Sequence, residues 1–149
     1  MFRGRSAHVL DAKGRLSIPA RFREFLQAKY DGRLIVTNLP SCLAAYPFEE
    51  WRKIEEHFSR FQFGPPEVVA FKRYLLGAAA ECPLDGQGRI LIPLKLREET
   101  GLTRDVVLSG MLTYFEISNK DNLNKELQKT RDNFDQYSSD ITAKFGISR

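Results

Sequence analysis

Cysteine, histidine and tryptophan are scarce here: the 149 residues hold two, two and one. Cys42 and Cys82 are scattered, which points to reduced, buried thiols rather than a bridge. His8 and His57 lie 49 residues apart, and neither has a cysteine or histidine at ligand spacing. That argues against a metal centre. The chain has no Walker A loop, no dinucleotide-binding glycine pattern and no His-Glu-x-x-His. No apolar run approaches the roughly 18 residues of a membrane helix. The early basic residues have no apolar stretch behind them, so no signal peptide is expected. These absences predict a cytoplasmic chain with no cofactor, no metal, no membrane contact and no small-molecule substrate.

What is present begins with a repeat. Asp11-Ala-Lys-Gly14-Arg15-Leu-Ser-Ile18-Pro19-Ala-Arg21-Phe-Arg23 returns as Asp85-Gly-Gln-Gly88-Arg89-Ile-Leu-Ile92-Pro93-Leu-Lys95-Leu-Arg97, 74 residues later and without a gap. Two copies are too few for a solenoid, so they imply two halves of one pseudo-symmetric fold. Hydrophobic content of 42% suffices for a core, and the length suits one compact domain or two small interlocked ones. Charge is unevenly placed. Residues 1–23 carry six cations against Asp11 alone, a net +5, while the whole chain carries +4. The other 126 residues therefore sum to −1. Positive charge gathered around one copy suggests a polyanionic partner.

Local patterning gives the elements. Ala7 to Ile18 reads as a hairpin turning at Ala12 to Gly14, with Leu16 and Ile18 inward and Arg15 and Ser17 outward. Pro19 starts a helix carrying Phe22, Phe25, Leu26 and Tyr30 on one face. Strands follow at Leu34–Thr37 and Leu43–Tyr46, and Pro47 opens a helix striped by Phe48, Trp51, Ile54, Phe58 and Phe61. Another helix spans Glu67 to Ala80, with Val68, Phe71, Leu75 and Ala79 inward. The second half repeats the scheme: a hairpin over Glu81 to Pro93, a helix from Pro93 to Thr100, and strands at Val106–Ser109 and Met111–Ile117. Ser118 with Asp121 resembles an N-cap for a helix to about Phe134. That helix has a thin apolar stripe, suited to docking on a neighbouring subunit, and a polar tail follows from Gln136, with Ile141, Phe145 and Ile147 as candidate anchors.

The candidate site residues come from the repeat and its approach. Arg15 and Arg89 follow the two turns, where a guanidinium can grip phosphate or the O6 and N7 of guanine. An ion pair with Asp11 or Asp85 is the structural alternative, and one arginine can do both. Asp11, Gly14, Asp85 and Gly88 are expected to shape the turns. Arg3, Arg5 and Lys13 are expected to add DNA contacts. Arg21 and Arg23 fit a solvated role as well as a contact. Between the copies Lys13 becomes Gln87 and outward Ser17 becomes Leu91. The first copy is thus the main DNA face, and Leu91 implies packing against another element or subunit. Asp11 and Asp85 do not suit acid–base catalysis, because each adjacent arginine would depress its pKa. No enzyme is expected.

Met1-Phe2-Arg3-Gly4, Leu10 to Arg23, the second copy, and Trp51 after Tyr46-Pro47 together resemble the MraZ family of bacterial transcriptional regulators, over roughly residues 1–125. The resemblance implies an α+β, mainly β fold: two pseudo-symmetric AbrB-like β-hairpin units forming an interlocked barrel with helices packed outside. The expected division is 5–51 first unit, 52–80 helical connector, 81–124 second unit, and 125–149 C-terminal helix end and tail. The resemblance further implies binding of double-stranded DNA at direct repeats upstream of the division and cell-wall gene cluster, nucleoid association, and self-assembly into a ring-like homo-oligomer. The rival reading is a protein-interaction or antitoxin-like module on the same scaffold. Steeply salt-dependent DNA affinity separates the two.

Overall fold

The first strand of each repeat pairs with the third strand of the other. In the computed structural model, which describes residues 1–61 and 63–147, β1 (Arg5–Val9) pairs antiparallel with β7 (Asp105–Gly110), Ala7 facing Val107. Its counterpart β5 (Ala80–Glu81) pairs with β3 (Leu34–Asn38), Glu81 facing Ile35. The second strands, β2 (Arg15–Ser17) and β6 (Arg89–Leu91), pair with each other as a separate two-stranded ribbon. The fourth strands, β4 (Leu43–Pro47) and β8 (Phe115–Asn119), meet where Ala44 faces Glu116. The larger sheet runs β1-β7-β8-β4-β3-β5. The two halves therefore exchange strands about an approximate two-fold axis.

The expected hairpins are corrected by this pairing. Around Asp11 to Gly14 the chain does turn: Gly14 N–H donates to Asp11 O and Asp11 N–H to Arg15 O. Past that point β1 and β2 part to different partners. Period-two alternation fixes which face is buried, not which strand lies alongside. Both pairings would bury Leu16 and Ile18, and the cross-repeat one also sets Leu16 opposite Ile90 in the core.

Prolines stand at four of the helix starts, Pro65 and Pro66 at one of them. Pro19, Pro47 and Pro93 lie just before α1 (Ala20–Lys29), α2 (Phe48–Ser59) and α4 (Leu94–Glu99). Their fixed φ suits the entry and they sacrifice no ladder bond there. α1 buries Phe22 and Leu26 on the main core, and α4 buries Leu96. A second cluster forms where Trp51 of α2 and Leu75 of α3 (Pro66–Gly77) cover Ile35. The aromatic stripe of α2 is largely packing: Phe48, Ile54 and Phe58 all border this cluster. Phe71 was expected inward but is 55% exposed. Ala79 was expected on the helix, which ends at Gly77.

The first half carries a plug that the repeat does not duplicate. Phe2 is fully buried against Phe22, Phe25 and Phe115, with centroids 4.8–5.3 Å apart. It bridges to Leu112 by backbone hydrogen bonds of 2.9 Å in both directions. Gly110 admits this segment, since a Cβ there would strike the backbone of Phe2 and Arg3.

Residues Met1–Asn119 form one compact unit and Lys120–Arg149 a second. In the latter, α5 (Lys120–Asp132) and α6 (Phe134–Phe145) are separate helices. The polar tail expected from Gln136 is thus corrected to a helix, with Phe134, Tyr137, Ile141 and Phe145 exposed at helical spacing. Ser118 lies in β8 rather than capping α5.

Phe2→Ala should destabilise the first unit by about 3–5 kcal/mol, the usual cost of truncating a buried phenylalanine. Gly110→Ala should also destabilise, by about 1–3 kcal/mol as an overpacking change. Urea unfolding of each variant checks both figures. A Phe2→Ala midpoint equal to the parent's would show that the plug contributes nothing.

Candidate nucleic-acid interface

Each turn is built by one carboxylate working on three N–H groups. Asp11 Oδ1 accepts from Lys13 N–H at 3.0 Å and Arg15 N–H at 2.8 Å, and its Oδ2 accepts from Arg15 Nε at 2.7 Å. Asp85 repeats the pattern with Gln87 N–H at 2.8 Å, Arg89 N–H at 2.9 Å and Arg89 Nε at 3.0 Å. Gly14 and Gly88 take φ of +88° and +74°, which suits a residue without a Cβ.

The backbone N–H of Arg15, then its side chain, holds the Asp11 carboxyl down to about 2. Asp85 is lowered for the same reasons, led by the backbone N–H of Arg89. A charged carboxylate is the better acceptor, so the turn and the ionisation support each other.

The ion pair and the outward presentation of arginine are compatible. Asp11 engages Arg15 through Nε, which leaves the Nη1–Nη2 edge of the fork for an external acceptor. Arg89 is held by Asp85 in the same way. Both side chains remain about one-third exposed, at 36% and 28%.

The other half completes each turn. Gly14 O accepts from Ile92 N–H at 2.9 Å, and Gly88 O accepts from Ile18 N–H at 3.0 Å. A Cβ on Gly14 would meet the Arg97 guanidinium, and one on Gly88 the Arg23 guanidinium. Those arginines are fixed in turn: Arg23 Nε donates to Ile18 O and Arg97 Nε to Ile92 O, both at 3.0 Å. Arg23, read from the sequence as solvated or as a contact, lies in the fold against the opposite turn and braces it. Arg97 holds the same place in the second copy and does the same work there. Arg21 stacks beside Phe22, 5.3 Å from its ring centre, with its fork next to Gly4.

The predicted site residues fall into two groups. Arg15 and Arg89 share the outer face of the β2–β6 ribbon, at its two ends, with Leu16 and Ile90 beneath. Lys13 is exposed at the first turn. Arg3 and Arg5 are exposed at the other end of β1 from that turn, near Leu112 and Ser109. Leu91, expected to pack against another element or subunit, stands opposite Arg15 across the ribbon. It is 56% exposed on the ribbon face. Among the described residues no group of histidine, cysteine, aspartate or glutamate is arranged to hold a metal. No helix among them is long and apolar enough to cross a membrane. Cys42 and Cys82 are free and buried, and burial pushes their thiols up to about 12 and 11.

A duplicated, strand-exchanged β core presenting two clamped arginines on a short ribbon defines the class. The family model described as "MraZ protein, putative antitoxin-like" matches residues 1–74 and again 75–144. The chain belongs to the MraZ family. A protein of Syntrophobacter fumaroxidans named Transcriptional regulator MraZ is 52% identical over 133 residues, covering 89% of each chain. Proteins of the same name from Shewanella violacea and Limosilactobacillus reuteri are 42% and 37% identical. They cover 89% and 97% of this chain, and 88% and 100% of their own length.

A folded-state pKa below the unfolded value means Asp11 contributes stability above about pH 4, and this is lost as pH falls toward 2. The turns should therefore keep their shape throughout the neutral range. An NMR titration of the Asp11 carboxyl should give a midpoint of about 2. Arg15→Ala should move that midpoint upward. A parent midpoint at the ordinary aspartate value of about 3.9 would contradict the clamp.

Proposed function

We propose that this chain is a sequence-specific DNA-binding transcriptional regulator. In this reading it acts on direct repeats upstream of the division and cell-wall gene cluster, its own gene included. The observation that carries the reading is the ribbon face on which Asp11 and Asp85 aim Arg15 and Arg89 outward. A two-stranded ribbon fits the major groove, and an arginine fork matches guanine O6 and N7. Arg15 and Arg89 are assigned to base contact, and Arg3, Arg5 and Lys13 to phosphate. Residues 5–51 and 81–124 are the two paired units, with 52–80 as helical connector. The names of the relatives and the basic first 23 residues support the same assignment.

One short ribbon buries little surface, so tight binding calls for several presented together. A ring-like homo-oligomer meets that need. The exposed row Phe134, Tyr137, Ile141 and Phe145 on α6 is a suitable self-association surface. The family description names an antitoxin-like character, which keeps a protein-interaction role as the rival.

Binding to DNA from upstream of its own gene, measured by anisotropy at several salt concentrations, tests the reading. Arg15→Ala should lose roughly 1–3 kcal/mol per bound subunit, and Arg15→Lys should recover part of it. Unchanged affinity for the alanine variant would sink the assignment.

Neutralising Arg3 and Arg5 together should weaken operator and random DNA about equally and flatten the salt slope by roughly 0.9 per lost contact. Loss of operator preference with an unchanged slope would transfer these residues to base reading. Light scattering should give a mass above that of a dimer. A monomer mass at micromolar concentration excludes the ring.

A further inference from the structure

The ribbon face is symmetric in its arginines and asymmetric beside them. Ladder bonds fall at Ile92–Gly14 and Ile18–Gly88. The pairs between them, Arg15–Leu91 and Ser17–Arg89, are therefore the non-bonded kind, whose side chains lie closest. Four side chains make the outer face: Arg15 beside Leu91 at one end, Ser17 beside Arg89 at the other. The approximate two-fold passes through the Leu16–Ile90 pair. It exchanges Arg15 with Arg89 and Ser17 with Leu91.

Two identical arginines so related would treat the two strands of a duplex alike and favour a palindromic step. Leu91 and Ser17 break that equivalence, as do Lys13 and Gln87 at the turns. The half that holds Arg15 also holds Leu91 and Lys13. Its chemistry is a fork for guanine, an apolar branch and a cation for phosphate. The half that holds Arg89 offers a hydroxyl and an amide instead.

Leu91 is the unusual member. It is 56% exposed, on a face otherwise made of arginines and a serine. In the major groove the one apolar group on a base edge is the thymine 5-methyl. We infer that Leu91 is a specificity-determining residue that packs on the 5-methyl of a thymine neighbouring the guanine held by Arg15. This contact makes the read-out directional. The inference rests on the DNA-binding reading above. It explains on physical grounds why a pseudo-symmetric ribbon would take direct rather than inverted repeats. Diagonal neighbours on a ribbon are roughly 7–8 Å apart, about two base steps of 3.4 Å. Arg15 and Arg89 thus bracket a short segment, and Leu91 lies at the Arg15 end.

The test uses the full-length protein and duplexes from upstream of its own gene, with each thymine replaced singly by deoxyuridine. One replacement, next to a guanine whose loss matters to Arg15, should weaken binding about fourfold, the equivalent of one buried methylene-sized group. Leu91→Ala should bind the parent duplex about as weakly as the parent protein binds the uracil duplex, and should no longer distinguish the two. Leu91→Ser, which restores the symmetry of the face, should bring direct and inverted arrangements of the half-site closer in affinity. Specific binding with no uracil-sensitive position overturns the inference while leaving the DNA-binding reading intact. So does a uracil effect that survives in Leu91→Ala. An equal loss on both duplexes with an altered oligomer mass would place Leu91 in a subunit contact, which also overturns it. Absence of Arg15-dependent binding to any of the duplexes removes the DNA-binding reading itself.

Discussion

The contact on which most of the structure depends is the reciprocal seating of each glycine turn by the other half. Gly14 and Gly88 each give a carbonyl to an isoleucine N–H across the axis. Each also lies so close to an arginine from the opposite helix that a Cβ would force its guanidinium to shift. Neither turn is finished by its own repeat. The strand exchange follows the same logic, because β1 and β5 find their ladders only in the partner half. A chain carrying both copies is therefore a self-sufficient unit, whereas a single copy would leave edges and turns unpaired.

That arrangement assigns different work to two kinds of arginine. Arg23 and Arg97 donate to backbone carbonyls and brace the turns from behind. Arg15 and Arg89 are held through Nε by aspartates depressed to stay charged, so their forks are oriented before any ligand arrives. Ordering of long side chains is a main cost of association, and part of it is met in the free protein. A rigid fork on a rigid ribbon is a suitable reader of base edges. Flexible cations elsewhere, such as Lys13, suit phosphate.

Duplication has been used unequally. The first half received Phe2, a buried aromatic plug admitted by Gly110. At the pseudo-symmetric positions matching Gly110 and Phe25 stand Asn38 and Glu99, one from each half, and Asn38 Nδ2 donates to Glu99 Oε2 at 3.1 Å. The ribbon face differs too, with Leu91 where the first half has Ser17. The scaffold's symmetry holds the shape, and these departures give the face a direction.

The sequence alone determined the repeat, the inward and outward residues of each strand, the proline-started helices and the aspartate–arginine turns. These depend on neighbours within a few positions: a period of two, a fixed proline φ, a carboxylate reaching an N–H nearby. It also located Arg15 and Arg89 as the pair of interest. Tertiary structure alone decided which strand each one joins. β1 and β2 looked like a hairpin because alternation is blind to the identity of a partner. Only the fold showed Arg23 as a brace rather than a surface cation, and Leu91 as an exposed neighbour of Arg15. Both depend on residues more than 60 positions away in sequence, Gly88 and Arg15. No local rule reaches that far, since such contacts are set by how two halves bury one shared core.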